Sequence, residues 1–574
     1  LPRDVAQPAR ASHTAAVVVR GFAVVVAAAV VIGALATAPF GCAEGQEAPA
    51  PDGGADGATD AAPTSCIGAL VCQGDEVHAC ENGMVGATVV DTCAAGTCSL
   101  GRCGSVPCTA AESDRTGFVG CLFYVFEADN VTSDAPLPTS LLLTNPSSTD
   151  TAHVTLQVPA LDATGTTWVF DMEADVAPGG AGRLEVAGQE VPDVALTPRG
   201  ALRLTSGSPI TVAVVQSDDR DQSTTTSSAG TMVLPAQSIG AHYRVMTYKQ
   251  QATDAVAATP GGRGGAGRIA IVGTQPGTHV TIMLSPTAAG LATDPPPPLD
   301  SITLGDGDVF QLYSAAEGSD LTGTEIVADA PVAVFSGNMT TSYGAAKPGV
   351  NSPDMVHEQM PPVGAWSRRW VAAALPPQAS TCDTLFGPPG SAPGSSIWRV
   401  LASEDGTSVT FDGPPGVLGL PGSAVPLQAG EVWQMVTSGG SFKVTATSAV
   451  LVTQGIDCEP SLALAVSLDR LLDDLIFAVL PNFDQLVSVV RPQGTPITFD
   501  GAPVDDAAFL PAGAGFEVAQ IPIPPCGISQ MVCTHELVGH FGMTLRGMDV
   551  LSSYALTAPT FAGCVDLADP TCVP

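Results

Sequence analysis

Beyond position 121 the chain arranges its apolar residues in short runs, alternating or continuous, each closed by Gly, Pro, Asp or Ser. The clearest runs are 122–126, 210–215, 268–272, 332–335, 444–452 and 486–490. Runs of this length, rich in Val, Ile and Thr and bounded by turn residues, predict strands, and together they predict an all-β body. Helical spacing appears over 462–475, ahead of Pro481, where one helix is expected.

A weak internal repeat organises the body. A small or polar residue, a β-branched residue, Thr and an apolar residue follow one another at His153-Val154-Thr155-Leu156 and His279-Val280-Thr281-Ile282. The pattern returns at Ser408-Val409-Thr410-Phe411 and Pro496-Ile497-Thr498-Phe499. After each copy comes a second, buried-looking strand, at 209–215, 331–335, 449–452 and 550–554. The copies lie 126, 129 and 88 residues apart. These periods are too long for a propeller blade of about 40 to 50 residues and fit whole sandwiches of roughly 100. The expected fold is therefore all-β, with tandem β-sandwich-like domains behind a small disulfide-rich module.

Composition changes the picture mainly at the N-terminal end. Arg3, Arg10 and Arg20 precede a small and apolar run from Gly21 to Ala38, so residues 1–41 read as a signal peptide or N-terminal membrane segment. Two processing sites compete: Ala36-Thr37-Ala38, and Gly41-Cys42, which looks like the end of a lipoprotein signal and makes Cys42 the lipidation candidate. Residues 42–65, almost wholly Ala, Gly, Pro, Asp, Glu, Gln, Thr and Ser, cannot form a core and read as a disordered linker.

The cysteines then fix the compartment. Of fifteen, Cys42 is the odd one, and the remaining set is even. Cys66, Cys72, Cys80, Cys93, Cys98, Cys103, Cys108 and Cys121 crowd a segment with few large apolar residues. Disulfides must stabilise such a module, assigned to 66–108. Structural zinc would require paired CxxC knuckles, which are absent. His78, between Cys72 and Cys80, is expected at the surface. Cys382, Cys458, Cys526, Cys533, Cys564 and Cys572 are scattered beyond. Local closure favours Cys526–Cys533 and Cys564–Cys572, leaving Cys382 with Cys458. An oxidising, extracytoplasmic location follows.

Charge excludes partners more than it selects them. The net charge is −35, and lysine occurs only at 249, 347 and 443. Phosphate backbones and anionic lipid surfaces are repelled, so no nucleic acid is expected, and no membrane contact except through the N-terminal anchor or lipid.

Candidate chemistry is sparse. His535-Glu536-Leu537-Val538-Gly539-His540 resembles a metalloprotease helix, but its histidines are five apart, about 140° around a helix, and the neighbours argue for a strand. Gly262 to Gly267 matches a dinucleotide loop by letter, yet the strand follows it instead of preceding it. Asp218-Asp219-Arg220-Asp221 offers hard oxygens for calcium on an expected loop. Asp354, His357 and Glu358 form a second polar group, also expected in a loop, with Glu358 and Gln359 making structural hydrogen bonds beside Pro361-Pro362. No catalytic, cofactor or metal residue is assigned, and no cofactor is expected apart from possible calcium.

A family resemblance covers most of 108–560. Pro107-Cys108, Ala111-Glu112 and Val119 to Tyr124 look like the opening of bacterial, myxobacterial-type exported members of the family of the IgGFc-binding protein N-terminal domain. The likeness continues through Ala330 to Asn338, His357 to Pro362 with Trp366, Leu471 to Asp474 with Phe477, Pro481 and Phe483, and Thr498-Phe499-Asp500-Gly501. It extends the all-β assignment over 109–574. The resemblance implies an exported binding or adhesion domain without an established enzymatic activity. The Gly-Asp-Pro-His cleavage site of the mammalian relative is absent, and no residues known to bind antibody Fc are matched. The expected function is recognition of an extracellular protein or glycan from the cell surface, as an outer-membrane lipoprotein or a secreted protein. A secreted hydrolase of polysaccharide or peptide, and a passive envelope component, are the alternatives.

Overall fold

Four long antiparallel strands, Leu202–Gln216, Glu325–Thr341, Phe442–Ile456 and Cys533–Met548, organise the computed structural model. The structure describes residues 70–558, except 82–83, 94, 96–97, 100–101, 104–105, 113, 116, 129–137, 160–167, 187–189, 192–194, 217–227, 252–264, 293–297, 342, 344–353, 376–395, 457–459, 482, 527–531 and 549–552. Each long strand passes from one sheet into a second. Its first half pairs with one set of neighbours and its second half with another.

The first copy shows the scheme. In Leu202–Gln216, residues 202–206 pair with Gly120–Val125 on one side and with Ala152–Pro159 on the other, and Trp168–Val176 lies beyond Ala152–Pro159. Residues 211–216 pair with Thr139–Thr144 and Ala229–Val233, and Ala181–Val186 lies beyond Thr139–Thr144. Both sheets bury one face on a shared core that includes Phe123, Leu141, Val154, Leu156, Leu204 and Val212. This is a seven-stranded sandwich folded around one bent strand.

The same pairing recurs three times. In the second copy Glu325–Thr341 takes Thr278–Met283 and Gly240–Arg244 on its first half, and Gly267–Gly273 and Asp354–Gln359 on its second. In the third, Phe442–Ile456 takes Thr407–Asp412 and Ser367–Ala372, then Ser396–Ala402 and Ser461–Leu464. In the fourth, Cys533–Met548 takes Ile497–Phe499 and Leu472–Val479, then Asp484–Pro492 and Ser553–Thr557. The four Thr-containing motifs all fall on the strand that joins the first half of the long one.

Two expectations are corrected. No helix spans 462–475: that segment holds the strands Ser461–Leu464 and Val466–Ser467 and the start of Leu472–Val479. Leu462, Ala463 and Leu464 are buried together, and a strand covered on both faces loses the two-residue alternation that would identify it. In the fourth copy the buried strand expected at 550–554 is present as Ser553–Thr557, but it is the neighbour of the long strand, which is Cys533–Met548. Thr544 and Arg546 alternate with Met543 and Leu545 inside it and are themselves buried, so the run reads as broken.

The four sandwiches close into a ring. The first and second share Leu122, Phe126, Ala270 and Phe335. The second and third share a large core containing Ile269, Val334, Trp366, Trp398 and Phe442. The third and fourth meet through Val371, Val466, Val490 and Val518. Leu142, Ala213 and Met232 of the first pack on Phe477, Met543 and Leu556 of the fourth. At the centre stand the closing strands Ala229–Val233, Asp354–Gln359, Ser461–Leu464 and Ser553–Thr557, every residue buried and each strand touching the next around the circle.

Ahead of the ring, Leu70–Gln73, Glu76–Glu81 and Met84–Thr92 form a small sheet, and Cys72 and Cys93 each take part in a disulfide. His78 is buried there, contrary to the surface position expected, with its ring nitrogens 3.0 Å from the Gly86 carbonyl and 3.1 Å from Glu76 Oε2. The short helix Val106–Glu112 follows. Its Cys108 is bonded to Cys121 in the first strand of the first sandwich.

Candidate functional site: a buried polar hub

Asp354, His357 and Glu358 lie on the closing strand of the second sandwich, not in a solvated loop. All three are buried, because that strand runs through the middle of the ring. Loop composition misleads here: polar residues are tolerated inside when neighbouring strands supply partners.

Each partner comes from a different copy. Glu358 Oε1 accepts a hydrogen bond from the Thr231 hydroxyl at 3.0 Å, and Thr231 Oγ1 accepts from the Gln359 amide at 2.8 Å. Gln359 Oε1 accepts from the Leu234 amide at 2.7 Å. These three bonds tie the second closing strand to the first. Asp354 Oδ2 accepts from the Ser553 amide at 3.2 Å, and the hydroxyls of Ser553 and Ser461 bond to each other. Those contacts connect the fourth copy to the second and third.

His357 faces the joint between the first and second sandwiches. Its ring stacks on Phe335 and meets the edge of Phe126. Arg268 Nη2 and Gln216 Nε2, both donors, each lie 3.4 Å from a ring nitrogen. Burial, reinforced by the Arg268 charge, holds the His357 pKa well below its ordinary value, so the ring is neutral. Burial pushes Glu358 well above the usual carboxylate range against the lowering effect of the Thr231 bond, so the site favours the neutral carboxyl over the carboxylate. Among the described residues Glu358 Oε2 and Gln359 Nε2 have no hydrogen-bond partner. The enclosed space of about 10 Å³ at the first–fourth joint is lined by Leu142, Met232, Phe477 and other mainly apolar residues, and suits nothing larger than a water. The hub's hydrogen bonds join three of the four sandwiches directly, the third being reached through Ser553.

A second buried polar set joins the second and third copies. Arg399 Nη2 pairs with Asp320 Oδ2 at 2.6 Å, and its Nη1 donates to Thr322 Oγ1 at 2.8 Å and to the Thr247 carbonyl. Burial raises the Asp320 pKa, but the Arg399 charge and the bonds from Thr322 together outweigh it and keep the group below its ordinary value. Nothing in the spacing of residues 320 and 399 signals this pair.

The remaining candidates occupy structural positions. His535 and His540 lie on the strand Cys533–Met548, as their neighbours indicate. They face separate carboxylates, Asp500 at 2.8 Å and Asp473 at 2.9 Å. Asp500 also accepts from the Glu536 amide and adopts a positive φ of 49°, so the Thr498-Phe499-Asp500-Gly501 motif is a tight turn held to that strand. Cys526 and Cys533 are disulfide-bonded. Cys80, Cys98 and Cys103 lie on short strands of the small module. Cys42, Cys66, Cys382, Cys458, Cys564, Cys572, the 218–221 acidic run and residues 262–264 of the glycine loop lie outside the described residues, and Gly267 at the end of that loop opens the strand Gly267–Gly273. No group of three or more metal-ligating side chains gathers among the described residues.

A ring of repeated all-β sandwiches, buried at its centre and with its loops and strand edges at the surface, is the architecture these residues build. The residues that carry the resemblance serve that scaffold: His357 to Gln359 form the hub, and Pro361 to Trp366 turn the chain from the second sandwich into the third, with the Trp366 indole donating to the Pro361 carbonyl at 3.1 Å. The family model described as IgGFc binding protein matches residues 229–547, more than half of the chain, and the chain belongs to that family. The match begins at the closing strand of the first sandwich and ends just before that of the fourth. No curated protein matches the chain.

Proposed function

We propose that this chain is an exported protein that recognises another extracellular protein by its surface and performs no chemistry of its own. Membership of the IgGFc binding protein family, across the second, third and fourth sandwiches, is the observation that supports this reading most. The disulfides Cys108–Cys121 and Cys526–Cys533 agree with an oxidising, extracellular setting. In this reading the apolar segment before Cys42 directs export, and Cys42 takes a lipid that tethers the scaffold to an outer membrane. The loops and strand edges of the sandwiches, rather than a cleft, present the binding surface. Antibody Fc is not inferred as the partner, since no residue here is matched to that activity.

The oxidised chain, probed against an array of extracellular proteins and glycans, tests the reading. Saturable binding to a protein with a Kd of about 1 μM or tighter is expected. Turnover of an arrayed polymer without retained binding would favour the hydrolase alternative and overturn it.

A further inference from the structure

The fourfold repetition supplies its own control, and one strand stands out against it. The strand beyond the Thr-containing one is Ile302–Leu304 in the second sandwich, Val425–Leu427 in the third and Ala502–Pro503 in the fourth, with 3, 3 and 2 residues. In the first it is Trp168–Val176, with 9 residues. It ends its sheet, pairing only with Ala152–Pro159 among the described residues. A long edge offers a row of backbone donors and acceptors that most proteins shorten or cover; this one is guarded instead by a bulge between Phe170 and Met172 and by acidic side chains, which turn away copies of itself but not a basic strand.

Its side chains select what can be added. Met172 and Ala174 turn inward onto the core of the first sandwich. Asp171, Glu173 and Asp175 alternate with them and face solvent, and Val169 and Phe170 stand exposed at the beginning, Phe170 by 59%. The strand is held in place before any partner arrives. The Trp168 indole donates to Asp306 of the second sandwich at 2.6 Å, and the Arg203 guanidinium lies 4.4 Å from the centre of the Trp168 ring. An edge fixed in this way loses little conformational freedom on binding.

We propose that the free edge of Trp168–Val176 accepts an extended segment of a partner protein as an added β-strand, with Lys or Arg at alternate positions beside Asp171, Glu173 and Asp175. The inference deepens the protein-binding reading and rests on it. Backbone bonds along the edge supply affinity, and cross-strand charge pairs supply the choice of partner. A second copy is the disfavoured occupant, because edge-to-edge pairing would set acids against acids on a chain with 56 Asp and Glu and only 21 Lys and Arg.

Fluorescence anisotropy of the oxidised full chain with a labelled nine-residue peptide of alternating Lys and Val tests this, with alternating Glu and Val as the control. Saturable binding of the Lys peptide alone is expected, with hydrogen-exchange protection gained at 168–176. The double variant D171K/E173K should weaken it about tenfold. D300K/E317K, which makes the same charge change at exposed sites elsewhere, should not. Equal weakening by both variants, protection at another strand, or no saturable binding overturns the proposal, as does a dimer in light scattering that D171K/E173K abolishes. If D171K/E173K keeps its partners on the protein array, this edge is not the site while the binding function stands.

Discussion

Glu358 and His357 are adjacent in sequence, and burial favours the neutral form of both, where they would ordinarily be charged or partly so. Their effects on stability run in opposite directions with pH. Glu358 holds its proton more tightly in the folded chain than in the unfolded one. Above its ordinary value of 4.5 the unfolded state binds fewer protons, and stability falls as pH rises toward the raised value. His357 releases its proton more readily when folded, so its contribution is fully present above 6.5 and is lost as pH falls below it. Glu358→Gln keeps the shape and the acceptor for Thr231 while removing the titration. The variant is expected to lose less stability than the parent between pH 5 and 9, as followed by chemical denaturation at each pH; equal losses would refute a protonated Glu358. Glycine acts at the same scale. A Cβ on Gly337 would lie 1.9 Å from the Val356 carbonyl oxygen, so Gly337→Ala should cost about 1–3 kcal/mol of folding stability, read from the denaturation midpoint. Of these residues the sequence shows only their polarity. Asp354, His357 and Glu358 read as loop because hydrophilic runs usually are, whereas here the polar partners that permit burial lie 89 to 199 residues away in the chain.

At the level of elements, the six apolar runs beyond 121 lie on strands, most of them buried throughout and recognisable by continuous β-branched residues closed by turn residues. The segment 462–475 reads as helix because Leu468, Leu471, Leu472 and Leu475 fall three and four apart, although they lie on the link after Val466–Ser467 and on the start of Leu472–Val479. The joints between elements are similarly silent. Arg399 on Ser396–Ala402 and Asp320 beyond Val309–Tyr313 form an ion pair whose members belong to different sandwiches. Arg399→Met would leave Asp320 buried without its counter-charge, and a loss of about 3–5 kcal/mol is expected. Adding Asp320→Asn should recover part of it, so the two single losses should not sum in a double-mutant cycle. Additive losses would show the pair to be independent.

For the whole molecule, the repeat was legible but its closure was not. Motif spacing indicates tandem sandwiches, yet nothing in a linear pattern says that the fourth returns to the first. Closure depends on small residues at the seam: a Cβ on Gly230 would lie 2.9 Å from Tyr554 Cβ and 3.0 Å from Leu556 Cδ2. Gly230→Val is therefore expected to destabilise the chain by about 1–3 kcal/mol, with a lower thermal midpoint. Outside the strand core, Arg470 and Asp114 make a two-bond ion pair at 3.0 and 2.7 Å, linking the segment before the first sandwich to the fourth. The family match leaves out most of the first sandwich, although the ring cannot close without it.

Native-state hydrogen exchange on the four closing strands tests this closed ring most directly. If the ring is one cooperative body, Ala229–Val233, Asp354–Gln359, Ser461–Leu464 and Ser553–Thr557 should exchange slowest, and together, only through global unfolding. Gly230→Val should then accelerate all four. If instead each strand exchanges at its own rate, with Gly230→Val touching only its immediate neighbours, the sandwiches are beads on a string and the ring account is wrong.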